Sequence, residues 1–288
     1  MHGYLQFLYM FKIRSLTKKD YPFAVDLANT MNWNMASEDF EYMDSFEPGG
    51  CFLLTEDSRR VGIATCISYG KVGWFGNLIV KPEYRNKGGG SALVNHAITF
   101  LNAKGVETVG LYAYTNLVGF YEGLGFKSDE AFSVLHTERV ISVSGSILPE
   151  LQKHQFPAVN RFDCQCFGGD RKRVLESIIL DRGNASYCIS AGGKLVGYVA
   201  ATVFDKIAWI GPLVCEAEKQ DEALLLIRAV LAKLDGKSAY VVVPKKNLPL
   251  FDALSFSGFA EEFSVSRMFY GEPTGKNCIY IAESLERG

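Results

Sequence analysis

The sequence predicts an α/β protein, a mixed sheet with helices on its faces, built twice in tandem. Two observations predict this. A pattern of residues recurs about 135 positions further on, and each copy alternates β-branched or aromatic runs with helical periods. A chain of 288 residues also exceeds one comfortable domain and suggests about two.

The repeat rests on three matches in order. Val61-Gly62 follows the charged turn Glu56-Asp57-Ser58-Arg59-Arg60, and Val196-Gly197 follows Gly192-Gly193-Lys194. Trp74-Phe75-Gly76-Asn77-Leu78-Ile79-Val80 lines up with Trp209-Ile210-Gly211-Pro212-Leu213-Val214 at the same spacing. Gly125-Phe126 then matches Gly258-Phe259.

In the first copy a strand is expected over 11–16 and a helix over 18–31, with Thr17 as its N-cap. A short second helix follows Ser37. The runs 51–55, 61–69 and 74–80 are β-branched or aromatic and bounded by Gly and charged turns, which predicts an antiparallel meander. Residues 90–104 carry apolar side chains at a helical period. A strand over 108–114, a helix over 117–124 and a closing pair of strands over 126–140 complete the unit. The small, polar segment 142–146 places the boundary between domains 1–143 and 144–288. The order β-α-α-β-β-β-α-β-α-β-β implies a mixed sheet covered by helices.

Composition narrows the function. A formal net charge of −2 without any basic run argues against nucleic acid and anionic membranes as partners. No stretch approaches the ~20 apolar residues of a membrane span. The apolar start, 1–11, lacks a basic n-region and a cleavage signature, so the cytoplasm is the expected compartment. The seven cysteines include no C-x-x-C pair and lack histidines at zinc spacing. They read as free structural thiols in a reducing compartment, with no metal.

The chemistry-bearing motif follows the third meander strand: Val80-Lys81-Pro82-Glu83-Tyr84-Arg85-Asn86-Lys87-Gly88-Gly89-Gly90-Ser91. Pro82 ends the strand ladder. Three glycines lead into a helix, where successive N–H groups can converge on an anion at the positive helix end. Arg85 and Lys87 add positive charge, and a pyrophosphate is the natural guest. Neither G-x-G-x-x-G nor G-x-x-x-x-G-K-[ST] is present.

The pattern R-x-x-G-x-G after V-x-P-x-Y resembles the pyrophosphate signature of the GNAT (GCN5-related) acyltransferases. Tyr121-Glu122-Gly123-Leu124-Gly125-Phe126 resembles that family's later Y-x-x-x-G-F segment. The resemblance implies direct transfer of an acetyl group from acetyl-CoA to an amine. Leu78, Ile79 and Val80 would present backbone to the pantetheine arm and polarise the thioester carbonyl. Asn86, Lys87, Gly88, Gly89, Gly90 and Ser91 would hold the pyrophosphate beside Arg85. Tyr121 matches the general acid that protonates the departing thiolate. The family often carries an asparagine seven residues before that tyrosine. Here Tyr114 stands at that position, and Asn116, two residues closer, is the candidate for its role.

No G-x-S-x-G elbow appears, and Cys66 has no recognisable His partner. An amine acceptor titrates above neutrality, so a base is expected. Asp39, Glu41 and Asp44 are candidates that read better as exposed helix charges, and His96 reads as a surface residue. In the second copy, Cys215-Glu216-Ala217-Glu218-Lys219-Gln220-Asp221-Glu222 holds no glycine and four acidic side chains, and Leu254 replaces the tyrosine. That half is expected to lack a donor site. An intact copy followed by a degenerate one resembles bacterial and animal tandem acetyltransferases, as do Trp33-Asn34 and Gly50-Cys51-Phe52. The implied partners are a small-molecule or peptide amine and no nucleic acid or membrane, with a homodimer left open.

Overall fold

The computed structural model describes residues 11–141, 148–275 and 277–288. The boundary expected at 143/144 lies outside the described residues. Two compact units follow a different division. One takes the chain as far as Ser68 together with Phe75–Gly105; the other takes Tyr69–Trp74 and Val106–Gly288.

The first unit is built on four neighbouring strands: β1 (Phe11–Ser15), β2 (Cys51–Glu56), β3 (Arg59–Tyr69) and β4 (Val72–Val80), the last two entering it in part. Side chains alternate across β2. Leu53 and Cys51 join Ile63 and Ile79 beneath α1 (Tyr21–Asn29) and α2 (Ser37–Phe46) in one buried cluster. Phe52 points the other way and meets His96 and Phe100 of α3 (Gly89–Asn102) edge-on, at 4.8 and 5.4 Å. The helix expected over 18–31 begins as a short 3-10 turn, Lys18–Asp20, and turns α-helical at Tyr21. Thr17 caps it in reverse: its N–H and hydroxyl donate to the Asp20 carboxylate at 3.0 and 2.7 Å.

The second unit holds the first three residues of β4, then β5 (Thr108–Tyr114), α4 (Val118–Glu122) and β6 (Lys127–Thr137). The second copy follows as α5 (Phe156–Phe167), α6 (Lys172–Ile179), β7 (Ala185–Ala191), β8 (Lys194–Phe204), β9 (Ile207–Glu216), α7 (Gln220–Lys233), β10 (Ser238–Pro244), α8 (Leu248–Phe256) and β11 (Ala260–Tyr270). From α5 to β11 this repeats the order from α1 to β6. A final strand, β12 (Cys278–Ile281), pairs with β9.

The closing pair of strands expected over 126–140 is one strand, β6, whose partners come from the other copy. β11 lies between β5 and β6, and β6 lies between β11 and β10. All three pairings are antiparallel, as in Val265 opposite Tyr114, Ser264 opposite Ser133, and Val242 opposite Val134. The two copies have exchanged their last strands. Strand alternation shows that a strand exists but not which edge it will join.

Cys166 and Cys278 are disulfide-bonded, with Cα atoms 6.0 Å apart. This corrects the expectation of free thiols throughout, because α5 and β12 bring together residues far apart in sequence. Cys51, Cys66, Cys164, Cys188 and Cys215 are free. Among the described residues no helix is long and apolar enough to cross a membrane, and no cluster of His, Cys, Asp or Glu could hold a metal.

Candidate functional site

The glycine loop is built where β4 stops. Lys81 N–H still donates to the Val61 carbonyl at 2.8 Å, and a 3-10 turn, Pro82–Tyr84, then reverses the chain. Arg85 Nε donates to the Val80 carbonyl at 2.9 Å, which ties the loop back to its strand. Asn86 and Gly88 both lie in the left-handed region, at φ 59° and 87°. These are residue types that adopt it readily. Lys87 places its ammonium 5.3 Å from the Tyr84 ring centroid.

α3 begins at Gly89 with Gly88 as N-cap, and no side chain caps it. Its first internal bond is from Ala92 N–H to the Gly88 carbonyl, 2.9 Å. The N–H groups of Gly89, Gly90 and Ser91 therefore have no helical acceptor, and no acidic residue stands in the first turn. A Cβ at Gly88 would meet nothing within 4 Å, so the loop is open at that residue. The expected pyrophosphate residues, 86–91, thus form one concave run of donors at a positive helix end. At the matched start of α7, Asp221 and Glu222 occupy the first turn, and Glu222 pairs with Lys219 at 3.2 Å. Two carboxylates in that first turn make the helix end unfavourable to a bound anion.

Upstream, β4 is irregular in a way the sequence reading missed. Asn77 has φ 50° in mid-strand and donates from Nδ2 to Thr65 Oγ1 at 3.2 Å. A left-handed residue inside a strand marks a bulge, and Gly76-Asn77 within an apolar run is its sequence signal. The ladder between β4 and β5 covers Val72–Trp74 opposite Thr108–Gly110. Leu78, Ile79 and Val80 lie beyond that ladder, in the part of β4 that belongs to the first unit.

Asn116 and Tyr121 belong to the second unit. Asn116 is exposed in the 3-10 turn Thr115–Leu117 that links β5 to α4. Tyr114, at the position the family reserves for asparagine, packs its ring against Phe263 at 5.3 Å. Tyr121 is buried between Phe120 and Phe126, with centroids 5.0 and 5.7 Å away. Burial pushes its phenol well above its ordinary pKa, so it is a protonated donor at neutral pH.

The carboxylates weighed as bases have other partners. Asp39 accepts the Ala36 N–H at the start of α2, Glu41 pairs with Lys18 at 2.9 Å, and Asp44 accepts the Gly49 N–H. His96 is half-buried against Phe52, and burial lowers its pKa. The nearly buried Glu47, which the sequence reading missed, is held by Lys104 at 2.7 Å and by the Ser68 N–H at 2.8 Å. Burial pushes the Cys51 thiol up to about 12 and the Cys66 thiol well above its ordinary value. Neither is a ready thiolate nucleophile.

Comparison with known proteins agrees with this construction in both copies. Residues 12–126 match the profile described as Acetyltransferase (GNAT) family, and residues 159–280 match a second, Acetyltransferase (GNAT) domain. The chain is 25% identical over 231 residues to the Uncharacterized N-acetyltransferase YitH of Bacillus subtilis, covering 76% of this chain and 80% of that protein. It shares its fold with a putative acetyltransferase from Pyrococcus horikoshii (TM-score 0.77, 23% identity, all of both chains). A tandem GNAT protein from the clavulanic acid biosynthesis pathway is also similar (TM-score 0.62, 17% identity, 92% of this chain and all of that one). With its fold and both sequence profiles in agreement, the chain belongs to the GNAT superfamily of acetyltransferases and carries the domain twice in tandem.

Proposed function

We propose that this protein is an acyl-CoA-dependent N-acyltransferase that moves an acetyl group from acetyl-CoA directly onto a primary amine. The observation that carries the reading is the start of α3. Its N–H groups without a helical acceptor, left-handed Asn86 and Gly88, and lack of acidic residues in the first turn suit a pyrophosphate. Asn86, Lys87, Gly88, Gly89, Gly90 and Ser91 hold it, with Arg85 securing the loop. The backbone of β4 at Leu78, Ile79 and Val80 accepts the pantetheine arm as an added strand. A backbone N–H on that edge stabilises charge developing on the carbonyl oxygen. The bound thioester supplies the activated acyl group.

Tyr121 keeps its proton until the sulfur leaves, then donates it from its phenol oxygen. Asn116 contacts the pantetheine arm. The acceptor is a small-molecule or peptide amine, the compartment is the cytoplasm, and domains 1–143 and 144–288 divide the labour, the donor site lying in the first. Incubation of the full chain with acetyl-CoA and a panel of small amines, amino acids and peptides tests this. Release of free CoA thiol only when a particular amine is present is the expected result. Binding of acetyl-CoA without turnover on any amine would leave a sensor, and no binding would remove the assignment.

A further inference from the structure

The charged turn Glu56-Asp57-Ser58-Arg59-Arg60 has no part in the transfer chemistry described above, yet the first unit builds a cleft around it. Asp57 and Ser58 both take left-handed conformations, φ 47° and 64°, which makes a tight hairpin of the primed type. The hairpin delivers Arg59 and Arg60 to a cleft of about 590 Å³ that Arg14, Lys81, Glu83 and Tyr84 also line. Asp20, fully buried beneath it, accepts from Arg14 at 2.7 and 3.0 Å and forms an ion pair with Arg60, whose Nε lies 2.9 Å away. One carboxylate therefore orients two guanidiniums, and the terminal nitrogens of Arg60 keep no partner among the described residues. Arg59 likewise forms no ion pair among the described residues, although Glu56 stands opposite it in the hairpin. Lys81 rests over the Phe23 ring at 5.3 Å and has no carboxylate partner among the described residues. Four cations, Arg14, Arg59, Arg60 and Lys81, thus face two carboxylates, Asp20 and Glu83.

The internal repeat shows what this place looks like without a ligand to serve. Arg59 matches Lys194, and Lys81 matches Glu216. In the second copy these two close on each other in an ion pair of 2.9 Å. The first copy holds two cations at the same positions, a repulsive arrangement unless an anion is shared between them. We infer that the cleft of Arg59, Arg60 and Lys81 is a phosphomonoester site next to the glycine loop, with the 3′-phosphate of CoA or a phosphate on the acceptor as its source.

Assignment to the donor rests on the proposed function; the site itself does not. The test uses the full chain and Lys81→Glu, which recreates the charge pair that folds in the second copy. Binding of CoA and of 3′-dephospho-CoA is measured by calorimetry, and melting is followed with and without millimolar inorganic phosphate. A preference of about tenfold or more for CoA is expected, erased in Lys81→Glu with 3′-dephospho-CoA affinity unchanged. Equal binding of the two, with phosphate raising the melting temperature of the wild type and not of Lys81→Glu, also supports the site and assigns it to the acceptor. Equal binding with no effect of phosphate, or a preference that survives in Lys81→Glu, overturns it. Failure of both CoA forms to bind would count against the proposed function, and the phosphate arm would still decide the cleft.

Discussion

A Cβ at Gly88 would meet open space, whereas one at Gly89 would lie 2.8 Å from Leu54 Cδ2 and 3.3 Å from the Phe11 ring. Adjacent glycines therefore answer different demands, conformation at the first and close packing at the second. Gly88→Ala forces a side chain into φ 87° at a cost of roughly 1–2 kcal/mol. It should leave a folded protein with weakened CoA binding by calorimetry. Gly89→Val should instead lower the melting temperature, by the equivalent of about 1–3 kcal/mol of overpacking. Tyr121→Phe removes one hydroxyl from a buried ring. CoA affinity should hold while kcat falls about 10²–10⁴-fold, and unchanged turnover would return Tyr121 to packing alone.

At the scale of elements, Asp20 joins three of them: the end of β1 through Arg14, the turn into α1 through Thr17, and the start of β3 through Arg60. Its guanidinium and hydroxyl partners hold the carboxyl well below the usual range. A depressed folded pKa means that this stabilisation is complete above the unfolded value, near ~3.9, and is lost as pH falls below it. Asp20→Asn should cost roughly 1.5–3 kcal/mol at neutral pH. The melting-temperature gap to the wild type should stay constant above about pH 4 and narrow below it. A gap independent of pH would show that the shape of the side chain, not its charge, matters.

For the whole molecule, the strand exchange decides what can be separated. β5 and β6 do not pair with each other; β11 supplies a partner to both. A fragment ending at residue 141 would expose the edges of both strands, a template for aggregation. It should fail to fold alone and recover acetyl-CoA binding when refolded with the remaining chain. A soluble, CoA-binding fragment would show that the exchange is dispensable. The intact chain should bind one CoA, because α3 opens on N–H groups without a helical acceptor or side-chain cap while α7 opens on Asp221 and Glu222. Two CoA per chain by titration would contradict this.

The sequence by itself determined the tandem repeat, the element order of the first copy as far as α4, and the glycine loop. Each is written locally: Trp74 and Trp209 at a fixed spacing, strand and helix periods, and glycines where a backbone must turn left-handed. The bulge at Asn77 was also locally encoded, in Gly76-Asn77, but an asparagine in a strand has several readings until its φ is known. Only the tertiary structure decided that β6 and β11 change places, that Cys166 meets Cys278, and that Asp20 gathers Arg14 and Arg60. These depend on partners brought together from distant parts of the chain. Alternation along a strand specifies which face is buried and leaves the identity of the neighbouring edge to the packing of the whole.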